Sequence, residues 1–405
     1  MAALGGALAS AGHEVTFAPL SVDDKDYRPL CRALGAACMG VVERAAFDMP
    51  GFFARSHRIR NPIRLARFFF EECYLPYVDA LYEAGRRLAA ESDLVIGHFF
   101  MYPLQAAAEK AGVPFVTVTL WPGLVPSAHR PPPGAPNIAR PLNLLGWRLS
   151  RALMNRVLAP MVADFRRHIG LGRFDDVLTE ILLSDRLNLL AWSGVLCAEQ
   201  PDWPPRHRLC GFLNVPPGAE TRATPAELER FLEGGAPPVY MTLGSSEQLS
   251  PRKFAALLSA AARKAEVRAV IQTTLENRPP STGDLFYTRR SAHEAVFPRC
   301  AAVVHHGGAG TTHTGLRCGK PSVVACFMDE QRDWGRTLAR LGAAAGPLNV
   351  MRTTPGRLAR RIRRVVDSPS MHERAAELGE RMRAEDGPAE AVRLIEEFAG
   401  REGLL

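Results

Sequence analysis

Phe297 to Gly335 reads FPRCAAVVHHGGAGTTHTGLRCGKPSVVACFMDEQRDWG, and this stretch decides the fold. Its apolar run, Ala301 to Val304, is short and β-branched enough for a strand buried on both faces of a parallel sheet. The run breaks at His305 and His306, followed by Gly307, Gly308 and Gly310. A helix is predicted to start there, with the hydroxyls of Thr311 and Thr312 placed for capping and Gly319 and Pro321 ending it. A strand, a glycine turn and a helix start leave backbone N–H groups unpaired, with the positive end of the helix dipole behind them. That is an anion site.

The spacing is not that of the common phosphate loops. No lysine precedes Thr311 as a Walker A loop needs, and the glycines do not follow GxGxxG. A histidine stands beside the anion site instead. The run His305-His306-Gly307-Gly308-Ala309-Gly310-Thr311-Thr312, then Gly319-Lys320-Pro321, Glu330-Gln331 and Trp334-Gly335, resembles the nucleotide-sugar-dependent glycosyltransferases of GT-B fold. The likeness is to the UDP-glycosyltransferase superfamily, in the branch that glycosylates sterols, macrolides, glycopeptides and rhamnolipid-type lipids. A looser match, Gln200-Pro201-Asp202-Trp203-Pro204, Gly211-Phe212 and Gly244-Ser245, extends it from about Asp93 onward.

Composition agrees with a globular chain. Its 405 residues, 47% hydrophobic and 23% charged, suffice for two domains that each bury a core. No apolar run reaches the ~20 residues of a membrane-spanning helix, and no signal peptide is visible, so a cytoplasmic protein is expected. Eight cysteines without a CxxC pair or zinc-type spacing argue for reduced thiols and against a structural metal. The net charge of +8 is spread along the chain except at Arg360 to Arg364, against nucleic-acid binding and compatible with anionic substrates or weak peripheral membrane contact.

Along the chain, apolar segments alternate with helical ones, predicting α/β architecture with doubly wound parallel sheets and ligands beyond the strand C-terminal ends. Strands are expected at Glu14 to Pro19, Asp93 to Gly97, Pro114 to Leu120, Leu187 to Trp192, Arg208 to Phe212, Val239 to Leu243 and Val267 to Gln272. Met1 to Ala11 reads as a helix, and Ala54 to Ala90 as long amphipathic helices whose Phe68-Phe69-Phe70 packs a core or lines an apolar acceptor pocket. Trp121 to Pro141, with Pro131-Pro132-Pro133, is irregular and is expected to cover the acceptor site. Glu276 to Thr288 reads as a variable loop, and helices are predicted at Gly356 to Val366, His372 to Glu385 and Pro388 to Phe398. The resulting domains are residues 1–214, binding acceptor, a linker at 215–224, residues 225–385, binding nucleotide-sugar, and a C-terminal helix at 386–405. The resemblance implies two Rossmann-like domains facing a central cleft, with that last helix crossing back to the first domain. In the family the first helix and strand follow an earlier strand and loop, which implies a native start upstream of Met1 or a truncated gene.

What the resemblance implies for the site is specific. His306 takes the place of the phosphate-contacting histidine, joined by Gly308, Gly310, Thr311 and Thr312 at the helix start and by Gly244 and Ser245 from the facing strand. Glu330 and Gln331 stand where an acidic residue and a glutamine bind sugar hydroxyls, though Asp329 replaces the usual glycine. His293, in Ala292-His293-Glu294, falls near the donor base. The usual base, a His or Asp, belongs to the loop after the missing first strand, so His98, a neutral imidazole at a strand end, is the catalytic candidate. No metal and no cofactor are expected beyond a UDP- or dTDP-sugar cosubstrate. The triplet Asp24-Lys25-Asp26 reads as a solvated turn. The expected activity is inverting transfer of a sugar to a hydroxyl of a hydrophobic acceptor. The rivals are a catalytically inactive nucleotide-binding auxiliary of another transferase and a nucleotide-sugar epimerase.

Overall fold

The computed structural model describes residues 1–19, 26–41, 48–56, 59, 62–73, 75–214, 224–289 and 291–404. The expected linker, except for residue 224, and Asp24 and Lys25 lie outside them. Two compact units are present: Met1–Trp192, Cys197–Ala219 and Asp386–Leu405 form one, and Ser193–Leu196 with Glu220–Glu385 the other. Among the described residues no helix is long and apolar enough to cross a membrane.

The first unit runs α1 (Ala2–Ser10), β1 (Thr16–Phe17), α2 (Arg28–Ala33), β2 (Ala37–Cys38), α3 (Met49–Ser56), α4 (Pro62–Cys73), α5 (Val78–Ala90), β3 (Val95–His98), α6 (Tyr102–Ala111), β4 (Phe115–Thr119), α7 (Arg140–His168), β5 (Leu187–Leu190) and β6 (His207–Leu209). Strands β3-β4-β5-β6 pair in that order, all parallel, while β1 and β2 form a separate parallel pair. One face of the larger sheet packs Val116, Val118, Leu187 and Leu189 against Leu4 and Leu8 of α1, and against Ile395 and Phe398 of the chain's last helix. That helix runs Gly387–Glu402, with Asp386 capping it by accepting from the Ala389 N–H at 3.1 Å. Its first turn lies so close to Phe212 that a Cβ on Gly387 would meet the Phe212 carbonyl oxygen at 2.3 Å.

The second unit runs α8 (Ala226–Glu233), β7 (Val239–Thr242), α9 (Pro251–Ala265), β8 (Ala269–Gln272), β9 (Leu285–Thr288), α10 (His293–Val296), β10 (Ala302–His305), α11 (Ala309–Arg317), β11 (Ser322–Cys326), α12 (Asp329–Arg340), β12 (Ala344–Asn349), α13 (Pro355–Val366) and α14 (Pro369–Arg383); the last helix of the chain is α15. Its sheet is parallel throughout, in the order β12-β11-β10-β7-β8-β9. Alternate residues serve opposite faces: Val239 and Met241 join the α9 and α13 side, Tyr240 the α8 side. Each fully buried aliphatic side chain contributes about 1.5–3 kcal/mol, so a one-residue slip of register would be costly.

Two α/β units with parallel sheets are what the alternation predicts. Four strands depart from the reading, β2 beside β1 among them. The supposed variable loop 276–288 carries β9 at its end, and β11 and β12 stand beside β10. β12 reads AAGPLN, with proline and glycine that a central strand would not hold, and it lies at the sheet edge where they are tolerated.

Candidate functional site

The sheet order of the second unit reverses between β7 and β10: the chain builds outward through β8 and β9, then crosses back to add β10, β11 and β12 on the other side. Helices after such neighbours leave in opposite directions, opening a crevice at the strand C-terminal ends. Gly244 follows β7 there, and His306 follows β10.

These two residues meet. A Cβ on Gly244 would lie 2.6 Å from Cε1 of His306, and one on Gly308 would lie 2.5 Å from its Nε2. The imidazole is thus held between two backbone segments that only glycine lets approach so closely, and Gly244 also has φ +58°. Nδ1 of His306 is buried without a hydrogen-bond partner among the described residues. Burial, then the neighbouring His293, pushes its pKa down to about 4, so the ring is neutral and offers one N–H donor.

Helix α11 starts beside this ring, with Gly308 as its N-cap and no side chain capping it. Gly310 is exposed, with nothing within 4 Å of where its Cβ would be. The N–H groups of the first turn therefore remain directed at whatever occupies the corner. Thr311 is half-buried. The expected capping by Thr311 and Thr312 does not occur. Thr312 is fully buried, its N–H donates to Gly308 O at 3.0 Å, and its hydroxyl has no partner among the described residues. Its side chain belongs to the interior side of the helix.

His305 ends β10, accepting the Gly307 N–H on Nδ1 at 3.1 Å. His313, one turn into α11, donates from Nδ1 to Ala309 O at 2.7 Å and accepts the Ser193 N–H on Nε2 at 3.2 Å, which fixes its tautomer. Its ring meets Trp334 edge-on at 5.1 Å. Both histidines hold the corner's backbone, and burial keeps both neutral, with pKa values of about 3 and about 4.

Gly307, at φ +92°, brings the turn against α12: a Cβ there would meet the Gln331 carbonyl oxygen at 2.6 Å. Gln331 is buried, and its side-chain oxygen accepts the Phe327 N–H at 2.8 Å. Glu330, beside it, is half-buried and pairs with no base among the described residues; burial and then Asp333 raise its carboxyl to about 7. Asp329 faces solvent and pairs with Arg332. Ser245 is exposed beside Gly244.

His293 sits at the start of α10, its Nε2 donating to Gln272 Oε1 at 3.1 Å and its ring stacked on Phe297 at 4.6 Å. Burial lowers its pKa to about 4. Tyr240 donates to the same Gln272 oxygen at 2.7 Å. His98 ends β3 in the first unit, tilted against Phe99 and Phe100, and burial, then the chain's amino terminus, lowers its pKa to about 4. The structure thus gathers Gly244, Ser245, His293, His306, Gly308, Gly310, Thr311, Glu330 and Gln331 around one set of strand ends, while His98 belongs to the other unit.

Two residues escaped the sequence reading. Glu247, 2% exposed, accepts from the Thr273 hydroxyl and, at 2.9 Å, from the Thr274 N–H, tying the turn after β7 to that after β8. A carboxylate four residues past a strand end was the available signal. Asp202, within the quoted Gln200 to Pro204 stretch, accepts from Ser127 Oγ at 2.8 Å and the Ala128 N–H at 2.6 Å. It anchors the proline-rich segment. Among the described residues no three His, Cys, Asp or Glu side chains are gathered as metal ligands would be.

Comparison with known proteins gives three kinds of likeness. Residues 289–398 match the family described as Erythromycin biosynthesis protein CIII-like, C-terminal domain. The chain is 31% identical to the O-mycaminosyltylonolide 6-deoxyallosyltransferase of Streptomyces fradiae, covering 98% of this chain and 93% of that protein. It is 30% identical to the vancomycin aglycone glucosyltransferase of Amycolatopsis orientalis, covering 74% and 72%. The crystal structure of the glycosyltransferase VinC in complex with DTDP superposes with a TM-score of 0.66 over 99% of this chain and 96% of that one, at 21% identity.

Proposed function

We propose a reaction for this chain from the premise that it belongs to the UDP-glycosyltransferase superfamily and is a sugar-transferring enzyme of GT-B fold. The reaction is transfer of a sugar from a UDP- or dTDP-sugar to a hydroxyl of a hydrophobic natural-product acceptor, with inversion at the anomeric carbon. The acceptor class rests on the names of the two relatives above, and the nucleotide on the anion corner.

The observation that carries the reading is the His306 ring held between Gly244 and Gly308 beside the uncapped start of α11. In the reaction the acceptor oxygen forms a bond to the anomeric carbon while the bond from that carbon to the diphosphate oxygen breaks. The electron pair leaves with the diphosphate. Donors fixed before that charge develops, the His306 N–H with the N–H groups around Gly310 and Thr311, stabilise the transition state more than the ground state. The hydroxyl of Ser245 adds a further donor. This arrangement neutralises the leaving group without a cation.

The sugar is held by the Glu330 carboxyl, which near pH 7 is available in both protonation states, and by the Gln331 amide. The acceptor's proton is taken by His98, neutral across the physiological range. Buried in place by Gln272 and Phe297, His293 supports the corner from the β9 side.

The test is a panel of UDP- and dTDP-sugars scored by thermal shift, followed by transfer assays with and without a chelator. A nucleotide-sugar should raise the melting temperature, and transfer should survive the chelator. His306→Ala should reduce turnover by about 10²-fold to 10³-fold, as loss of one preorganised donor does. Unchanged turnover would remove His306 from the site. Abolition by chelator would replace the cation-free reading, and sugar interconversion without transfer would favour an epimerase.

A further inference from the structure

Helix α7 carries a feature the transfer reaction does not use. Leu142, Leu145, Leu149 and Leu153 recur at spacings of three and four, so they share one face of the helix, and they are 50%, 50%, 63% and 41% exposed. Ile138, just before the helix, is 70% exposed as well. Scattered exposed leucines need no explanation, but a continuous stripe on one helix does.

The stripe is not a helix waiting to collapse. Its opposite face is fastened: Asn143 Nδ2 donates to Ala128 O at 2.8 Å, Trp147 Nε1 to Arg130 O at 2.7 Å, and Trp147, Leu158, Val162 and Phe165 sit in the core. The leucines are held outward by a rigid support.

Along the helix as far as Ala163 and the segment before it, the charge near the stripe has one sign. From Lys110 to Ala163 the chain contains no Asp or Glu. Arg148 lies at the flank of the stripe and Arg156 follows Leu153 by three residues on the same side of the helix. Both are exposed and make no ion pair among the described residues. A second copy docking on this face about a two-fold axis would bring the stripe's arginines towards each other with no acid on the helix between Arg140 and Ala163 to meet them. An anionic surface with an apolar layer behind it satisfies both halves of the pattern.

We propose that the exposed face of α7 docks the protein on an anionic lipid bilayer, with the leucine stripe entering the headgroup boundary and Arg148 and Arg156 meeting lipid phosphates. The inference stands on the first unit alone and does not depend on the transfer reaction.

The test is co-sedimentation of the full chain with vesicles of phosphatidylcholine alone or mixed in equal parts with phosphatidylglycerol. Each basic residue near an anionic surface is worth about fivefold, so two arginines should favour the mixed vesicles by about 25-fold, with binding falling as salt rises. The double variants Leu145→Ser with Leu149→Ser, and Arg148→Glu with Arg156→Glu, alter exposed side chains only. Each should lose mixed-vesicle binding while keeping the wild-type melting temperature. The proposal is overturned if the wild type sediments with neither vesicle, if binding survives both double variants, or if the leucine variant instead dissolves a concentration-dependent dimer seen without lipid.

Discussion

The side-chain oxygen of Gln331 accepts the backbone N–H of Phe327 at 2.8 Å, reaching back across the start of α12. The amide nitrogen keeps both of its donor hydrogens, so on the proposed reading Gln331 would meet a sugar hydroxyl chiefly as a donor. Gln331→Glu keeps an acceptor for Phe327 at a helix N-terminus that favours negative charge, and removes the donor. It should therefore leave the melting temperature within a few degrees of wild type while raising KM for the nucleotide-sugar about tenfold. Gln331→Ala, which also strands the Phe327 N–H, should lose stability as well. Equal KM for wild type and Gln331→Glu would show that this side chain serves the helix alone.

Gly308 has φ −63°, a value any residue adopts, yet a Cβ there would strike His306 Nε2. Gly308→Ala should fold normally and bind the nucleoside diphosphate at least tenfold more weakly by titration calorimetry, because the ring must leave its slot. Wild type should also take up a proton on binding near pH 6, since an adjacent diphosphate favours the charged imidazole whose pKa starts at about 4. Calorimetry in buffers of different ionisation enthalpy reads that uptake. Unaltered affinity in Gly308→Ala would mean that the ring's placement does not matter to the anion.

The strand from Ala302, the double histidine and the glycines were legible because each follows from a short-range rule: a β-branched run, a break, a helix start. So was the position of the candidate residues at strand C-terminal ends. What could not be read locally was the set of partners. Thr311 and Thr312 have the right chemistry for capping, but Gly308 takes that position and Thr312 turns inward, a choice set by packing across α11. Glu247 could not be singled out locally because Thr273 and Thr274, which bind it, lie on the next strand's turn. β12 was hidden by residues that only an edge position permits.

Burial of neutral histidines sets the acid limit of stability. His293, His306 and His313 in the second unit, and His98 and His207 in the first, fall from 6.5 to about 4, and His305 to about 3. Between these values and 6.5 the unfolded chain binds more protons than the folded one, so their contribution is complete above about pH 6.5 and is lost as pH falls toward 4. Glu330, raised to about 7, and Glu247, also raised by burial, act in the opposite sense, favouring the folded state at lower pH. Six histidines against two carboxyls should leave the melting temperature falling steadily from pH 6.5 to pH 4.5. A melting temperature constant or rising over that interval would contradict the burial of these rings.

Asp202 reaches the proline-rich segment through Ser127 and Ala128, and these donors, against the opposing effect of partial burial, hold its carboxyl below the ordinary range. The same segment is tied from its other side by Asn143 and Trp147. Removing one anchor should therefore loosen the chain locally without unfolding the sheet. Asp202→Ala forfeits hydrogen bonds to a charged group, worth about 1.5 kcal/mol where solvent screens them. It should speed cleavage after His129 or Arg130 in limited proteolysis by about tenfold, at nearly unchanged global melting temperature. Asp202→Asn, which can still accept from Ala128, should lie between the two. If both variants were cut at the wild-type rate, the proline-rich segment would owe its order to the α7 contacts alone.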